Sequence, residues 1–155
     1  MYLNRKVKAK QYLNALSPKY INQISDLSPV ASFTALETLD VSYNHIFDLS
    51  LVPDFGTLQA LDASGNPIKD LRPLQRAINL RYLALANINQ GSIKYGTWPP
   101  KLIGLCVKGS NWLSLLSLPP INSIIDFDGN VLGERNEEFE SLFRRYIIES
   151  QKAGE

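Results

Sequence analysis

Residues Leu58 to Leu71, LQALDASGNPIKDL, fit the pattern LxxLxLxxNxIxxL at every position but one, where Ala63 takes the third apolar place. Twenty-two residues earlier, Leu36 to Leu49 (LETLDVSYNHIFDL) fits it throughout, and twenty-two residues later Leu80, Leu83 and Leu85 keep the spacing. Down this period run the columns Ile24/Ile46/Ile68, Leu27/Leu49/Leu71/Ile93, Val30/Val52/Leu74, Leu36/Leu58/Leu80/Leu102, Leu39/Leu61/Leu83/Leu105 and Val41/Ala63/Leu85/Val107. A repeat of this length cannot bury its apolar face alone, so only a stack of such units makes a core, and the expected architecture is a solenoid. Each LxL piece alternates with period two, which predicts a short strand with its leucines inward and the residues between them outward. Stacked strands of this kind form a parallel sheet. The column Asn22, Asn44, Asn66 falls where the chain leaves each strand, and a buried amide there can satisfy backbone groups that the sheet does not reach.

Regularity lapses after Leu85. Ile88 takes the Asn position, and Asn89 to Thr97 replaces the tidy segment between strands. From Trp98 the spacing shortens: WPPKLIGLCVKGSNWL and LPPINSIIDFDGNVL align at 20, pairing Leu105 with Ile125, Val107 with Phe127 and Ser110 with Asn130. The Pro-Pro pairs predict extended polyproline segments in these last units. Trp112 falls in an apolar column and is expected to fill core. At the ends, residues 1–16 carry an apolar stripe beside Arg5, Lys6, Lys8 and Lys10, and residues 134–151 place Phe139, Leu142, Phe143, Tyr146 and Ile147 on one helical face. Both read as helical caps that close the open ends of the stack. The expectation is a single α/β domain over 1–155, with about five to six repeats across 17–133.

A net charge of +1 supplies no overall attraction to nucleic acid or an anionic membrane, so neither is favoured as a partner. The single cysteine, Cys106, permits no intrachain disulfide. No apolar run reaches the ~18 residues of a membrane span, and the basic start lacks the apolar stretch of a secretory signal. A monomer is expected, cytoplasmic or exported by a route that does not read such a signal.

Over roughly Leu16 to Leu132 the chain resembles the leucine-rich-repeat superfamily. ISDLSPV followed by LETLDVSYN is similar to the 22-residue repeats of bacterial internalins and intracellular phosphatase regulators. The Pro-Pro units resemble the 20-residue repeats of secreted bacterial effectors. The resemblance implies a horseshoe whose concave parallel sheet binds a protein partner.

No phosphate-cradling glycine loop, metal-spaced Cys/His set or nucleophile elbow occurs, and no cofactor, metal or small-molecule substrate is expected. Cys106 lies at an outward strand position, but a nucleophilic thiol needs a base, and the only histidine, His45, is nearly three repeats away. The outward positions in register are Thr38, Asp40, Ser42; Ala60, Asp62, Ser64; Tyr82, Ala84, Ala86; Gly104, Cys106, Lys108; and Ile124, Asp126, Asp128. They predict a shallow apolar floor with Tyr82 as its aromatic anchor, Ala84 and Cys106 beside it, and a polar rim of Asp40, Asp62, Lys108, Asp126 and Asp128. Energy in protein interfaces concentrates in such an anchor within a polar rim. Trp98, at the start of the first Pro-Pro unit, is a possible second anchor. The residues leave another reading open: a structural subunit of a larger intracellular assembly, a ribonucleoprotein included, held through its basic N-terminal helix.

Overall fold

Each LxL unit is a three-residue strand in the computed structural model, which describes residues 23–54, 56–88, 96–110, 119, 121, 123–126, 128–133, 139, 143 and 144. The expected N-terminal helix over 1–16, the irregular turn from Asn89 and the core role of Trp112 lie outside those residues. β1 (Thr38–Asp40), β2 (Ala60–Asp62), β3 (Tyr82–Ala84), β4 (Gly104–Cys106) and β5 (Ser123–Ile125) stack in chain order as parallel neighbours. Leu39, Leu61, Leu83 and Leu105 are direct register partners, and all four are fully buried. On their side of the sheet the Ile46/Ile68, Leu49/Leu71, Val52/Leu74 and Leu58/Leu80/Leu102 columns close into one apolar core. A parallel pair needs a crossover between its strands; those from β1 to β2 and from β2 to β3 pass through 3-10 turns, Val52–Asp54 and Arg72–Arg76, and a third such turn, Ser28–Val30, precedes β1.

Two further columns of period 22 hold the turns. Asp26, Asp48 and Asp70 each accept the backbone N–H two residues ahead, at 2.9, 2.8 and 3.0 Å, an Asx turn at or just before the start of each 3-10 segment. Asn44 and Asn66 act as expected, and Asn22 lies outside the described residues. The amide of Asn66 donates to the carbonyls of Val41, Ala63 and Ser64, and its Oδ1 accepts the Ile46 N–H at 2.9 Å; Asn44 does the same for Val41, Ser42 and Ile24. Where Ile88 interrupts the column, Ser110 takes over in part: its Oγ donates to the Leu85 carbonyl at 2.6 Å and accepts the Ile88 N–H at 3.1 Å. Left-handed backbone also recurs in column, at Tyr43 (φ 56), Gly65 (φ 66), Asn87 (φ 55) and Gly109 (φ 69). At Gly65 a Cβ would run into the Tyr43 ring, so glycine is favoured there. That ring crosses over Gly65, and its hydroxyl accepts a hydrogen bond from Asn87 Nδ2 at 2.9 Å.

Three expectations are corrected at the C-terminal end. Pro99 and Pro100 do not run extended: the Leu102 N–H donates to the Pro99 carbonyl at 3.1 Å, and Pro100 and Lys101 form the turn. Pro favours the second position of such turns because its φ is already set. The register between β4 and β5 is 19 residues, not 20: Leu105 pairs with Ile124, and Cys106 with Ile125. Since side chains alternate with period two, this one-residue slip gives Ile124 the register position of the inward Leu105 and puts Ile125 on the face where Ile124 was expected. The displaced residue is absorbed after the strand, where Asp126 caps a tight loop. Its Oδ1 accepts from the N–H groups of Asp128 and Asn130 at 3.0 and 2.8 Å, and its own N–H donates to the Asn130 carbonyl. The chain then returns as β6 (Val131–Gly133), antiparallel to β5, so the last step of the sheet is a hairpin and not another crossover.

The third correction concerns the C-terminal helix. Phe139, Phe143 and Arg144 are helical, but the two phenylalanines do not sit across the open end of the leucine core. They pack on the opposite, outward face of the sheet, against Ala60, Tyr82, Ala84, Ala86, Cys106 and Ile125.

Candidate functional site

Two register rows make up the outward face: Thr38, Ala60, Tyr82, Gly104, Ser123, and Asp40, Asp62, Ala84, Cys106, Ile125. Along the second row the side chains change from carboxylates to apolar groups, and the apolar half is covered. Ala84 and Cys106 are fully buried, and Tyr82 keeps only 5% of its surface exposed. The cover is the pair Phe139 and Phe143, both fully buried, with ring centroids 5.1 Å apart in an edge-to-face arrangement. Phenyl rings prefer that contact because the positive edge of one meets the negative face of the other. Gly104 makes room for it: a Cβ there would stand 2.7 Å from Tyr82 Cδ1 and 2.9 Å from Phe139 Cδ2. The guanidinium of Arg81 lies 5.7 Å from the centroid of the Tyr82 ring, within cation–π range.

The predicted floor thus exists as a cluster, but a filled one. Cys106 sits in it as a small apolar side chain. The rim residues fare differently. Asp62 is buried, with its Oδ1 accepting the Ser64 N–H at 3.0 Å. Asp40 is half-buried and accepts from both the N–H and the hydroxyl of Ser42, at 3.0 and 2.7 Å. Lys108 and Asp126 are half-buried, Asp126 as the loop cap, and Asp128 is exposed. Trp98 belongs to another part of the molecule: half-buried against the leucine core, it lines a shallow cleft with Leu71, Leu74, Gly96, Thr97 and Pro99. Among the described residues no three His, Cys, Asp or Glu side chains are grouped so as to hold a metal ion, and no helix is long and apolar enough to cross a membrane.

The residues missed by sequence reasoning are Phe139, Phe143 and Ile125. The signal for the first two was present: an i, i+4 aromatic pair on a helix needs an apolar surface, and the outward positions Ala84, Ala86 and Cys106 form one that the leucine core does not use. Ile125 was hidden by the register slip.

The strands from β1 to β4 keep a 22-residue register, their inward leucines stand in column, and asparagines bond across successive repeats. The chain is a solenoid of stacked parallel strands whose repeat follows the leucine-rich pattern. No protein-family profile and no curated protein matches it. Among solved structures, an internalin (InlF) from Listeria monocytogenes is similar at 24% identity and a TM-score of 0.49. The match covers 69% of this chain and 28% of the internalin chain, so it spans well under half of that protein.

Proposed function

We propose that this leucine-rich-repeat domain is a non-catalytic protein-interaction module that engages a protein or peptide through the outward, concave face of its sheet. One observation carries the reading: this face takes up large side chains from outside the repeats. Small residues at Ala60, Ala84, Ala86 and Gly104 leave the depth, Tyr82 supplies an aromatic wall, and two phenyl rings fill the space. An anchor pocket on a face that also carries charged groups such as Asp40 and Lys108 is the arrangement from which protein interfaces draw most of their energy.

The test is affinity purification with the parent chain, a rim variant (Lys108→Glu, Asp40→Lys) and a variant on the opposite side of the repeats (Gln75→Ala, Arg76→Glu). A partner retained by the parent and the Gln75/Arg76 variant but lost by the rim variant supports the concave face. A partner lost only with the Gln75/Arg76 substitutions sinks the proposal, since the working surface would then be the convex side.

A further inference from the structure

The concave floor already has an occupant, and that occupant shows what the floor accepts. Phe139 and Phe143 are four residues apart, each in helical backbone, and their rings meet edge to face. They enter a pocket carved to an aromatic's dimensions: Gly104 clears space under Phe139, Tyr82 forms the side wall, and Ala84, Ala86, Cys106 and Ile125 make the base. None of these base residues takes part in the leucine core, which is continuous without them. The repeats therefore build two separate apolar clusters: one made by the stack itself, the other completed only by a segment that follows the last strand. Arg144, next to the second ring, is exposed, on a molecule whose outward row also carries Asp40 and Asp62.

Resting on the concave-face reading above, we infer that the floor is a helix-receiving site held in cis by Phe139 and Phe143, and that its external ligand is an amphipathic helix of a partner protein presenting two aromatic side chains four residues apart with a basic flank. Binding follows a swap, in which the partner's rings take the places of the chain's own. The cis segment lowers the apparent affinity by the fraction of molecules in which the floor is closed. Weak partners are excluded, and a partner is admitted only if its helix outcompetes the tethered one.

Cys106 lies in the base of this pocket and is the only cysteine, so its thiol reports occupancy. The experiment compares thiol labelling of the full-length parent, of Phe139→Ala/Phe143→Ala and of the milder Phe143→Leu, each with and without a synthetic peptide of residues 134–151. A control peptide carries alanine at both Phe positions, and circular dichroism and light scattering check fold and mass. The parent should label slowly. The double variant should label at least ~30-fold faster, because local opening no longer has to precede reaction. The phenylalanine peptide should restore protection at least tenfold in that variant, roughly the differential occupancy a competent ligand imposes, and the alanine peptide should not.

Three results overturn the inference. Unchanged labelling in the double variant means that the pair does not cover the floor. Fast labelling that the phenylalanine peptide fails to suppress means that the floor does not receive helices in trans. Protection that appears without peptide, together with a doubled mass, makes a second copy of the chain the ligand. If the double variant does not fold, Phe143→Leu decides by the same readout: faster labelling suppressed by the phenylalanine peptide supports the swap, and labelling indifferent to it makes the pair permanent core. The rim variants in the affinity purification remain interpretable in every case, so the helix preference can fail while concave-face binding stands.

Discussion

Asn66→Ala tests the account of what holds successive repeats in register. The amide of Asn66 is 2% exposed and serves four backbone groups in two repeats. Two of these have a second partner: the Val41 carbonyl also accepts from Asn44 Nδ2, and the Ser64 carbonyl from the Tyr43 N–H. The Ile46 N–H and the Ala63 carbonyl would lose the bond that the structure gives them. A stranded buried polar group costs about 1–3 kcal/mol, so the two together predict a loss of about 2–6 kcal/mol. Asn44→Ala is the internal control. Its Oδ1 serves the Ile24 N–H in a half-buried setting at 3.2 Å, its Nδ2 holds the buried Ser42 carbonyl at 3.1 Å, and the Val41 carbonyl keeps its bond from Asn66, so one fully buried group is stranded instead of two and about 1–3 kcal/mol should go. Asn66→Ser should fall between, because Ser110 shows that a hydroxyl can hold the carbonyl 25 residues back while accepting one N–H. Urea unfolding followed by circular dichroism measures all three at a common m-value. Should Asn44→Ala cost as much as Asn66→Ala, or Asn66→Ala less than about 1 kcal/mol, the ladder would not be what keeps the repeats in step.

Other substitutions probe separate links. Tyr82→Ala removes a buried ring from the second cluster and should lower stability by about 3 kcal/mol, in contrast to a surface anchor, whose loss leaves melting unchanged; an unaltered melting temperature would show that the floor is open in solution. Gly65→Ala forces a side chain into left-handed backbone under the Tyr43 ring and should cost about 1–2 kcal/mol, less in a Tyr43→Ala background, where the clash is gone; equal costs in both backgrounds would refute the contact. The Ser28 hydroxyl, then its N–H, hold the Asp26 carboxyl below the ordinary aspartate range. The carboxylate therefore favours the fold above the unfolded pKa and loses that contribution as pH falls through the folded one. Ser28→Ala should move the Asp26 titration upward by NMR, and an unmoved titration would place the cause elsewhere.

From β1 to β4 the structure follows the columns residue for residue, because one period and one face assignment determine every pairing. The period breaks where an alignment of turns no longer implies an alignment of strands. Gly109 and Gly129 are 20 residues apart and both have positive φ, so the turn match was sound, yet Cys106 and Ile125, three and four residues before them, are 19 apart. An extra residue between strand and turn is invisible to a search for a constant period. The hairpin into β6 was hidden for a related reason: Asp128-Gly129-Asn130 reads as the asparagine turn of another repeat, and only the antiparallel return of Val131–Gly133 distinguishes the two. The face chosen by Phe139 and Phe143 was open in principle, because an amphipathic helix specifies that it needs an apolar surface without saying which.

The outward face itself explains that choice. Both faces of a parallel sheet are ordinarily covered, and the stack of leucines covers one. On the other face the polarity runs along the stack: Thr38 and Asp40 on β1 are half-buried and polar, whereas Ala84, Cys106 and Ile125 on β3 to β5 are apolar and fully buried. Burial stabilises by roughly 25 cal/mol per Å2 of apolar surface, so a helix bearing two phenyl rings gains most where the row is apolar and almost nothing over Asp40. The cover therefore belongs at the β3–β5 end. The β1 end stays polar and partly open, with Tyr43 and Phe47 exposed just beyond its strand.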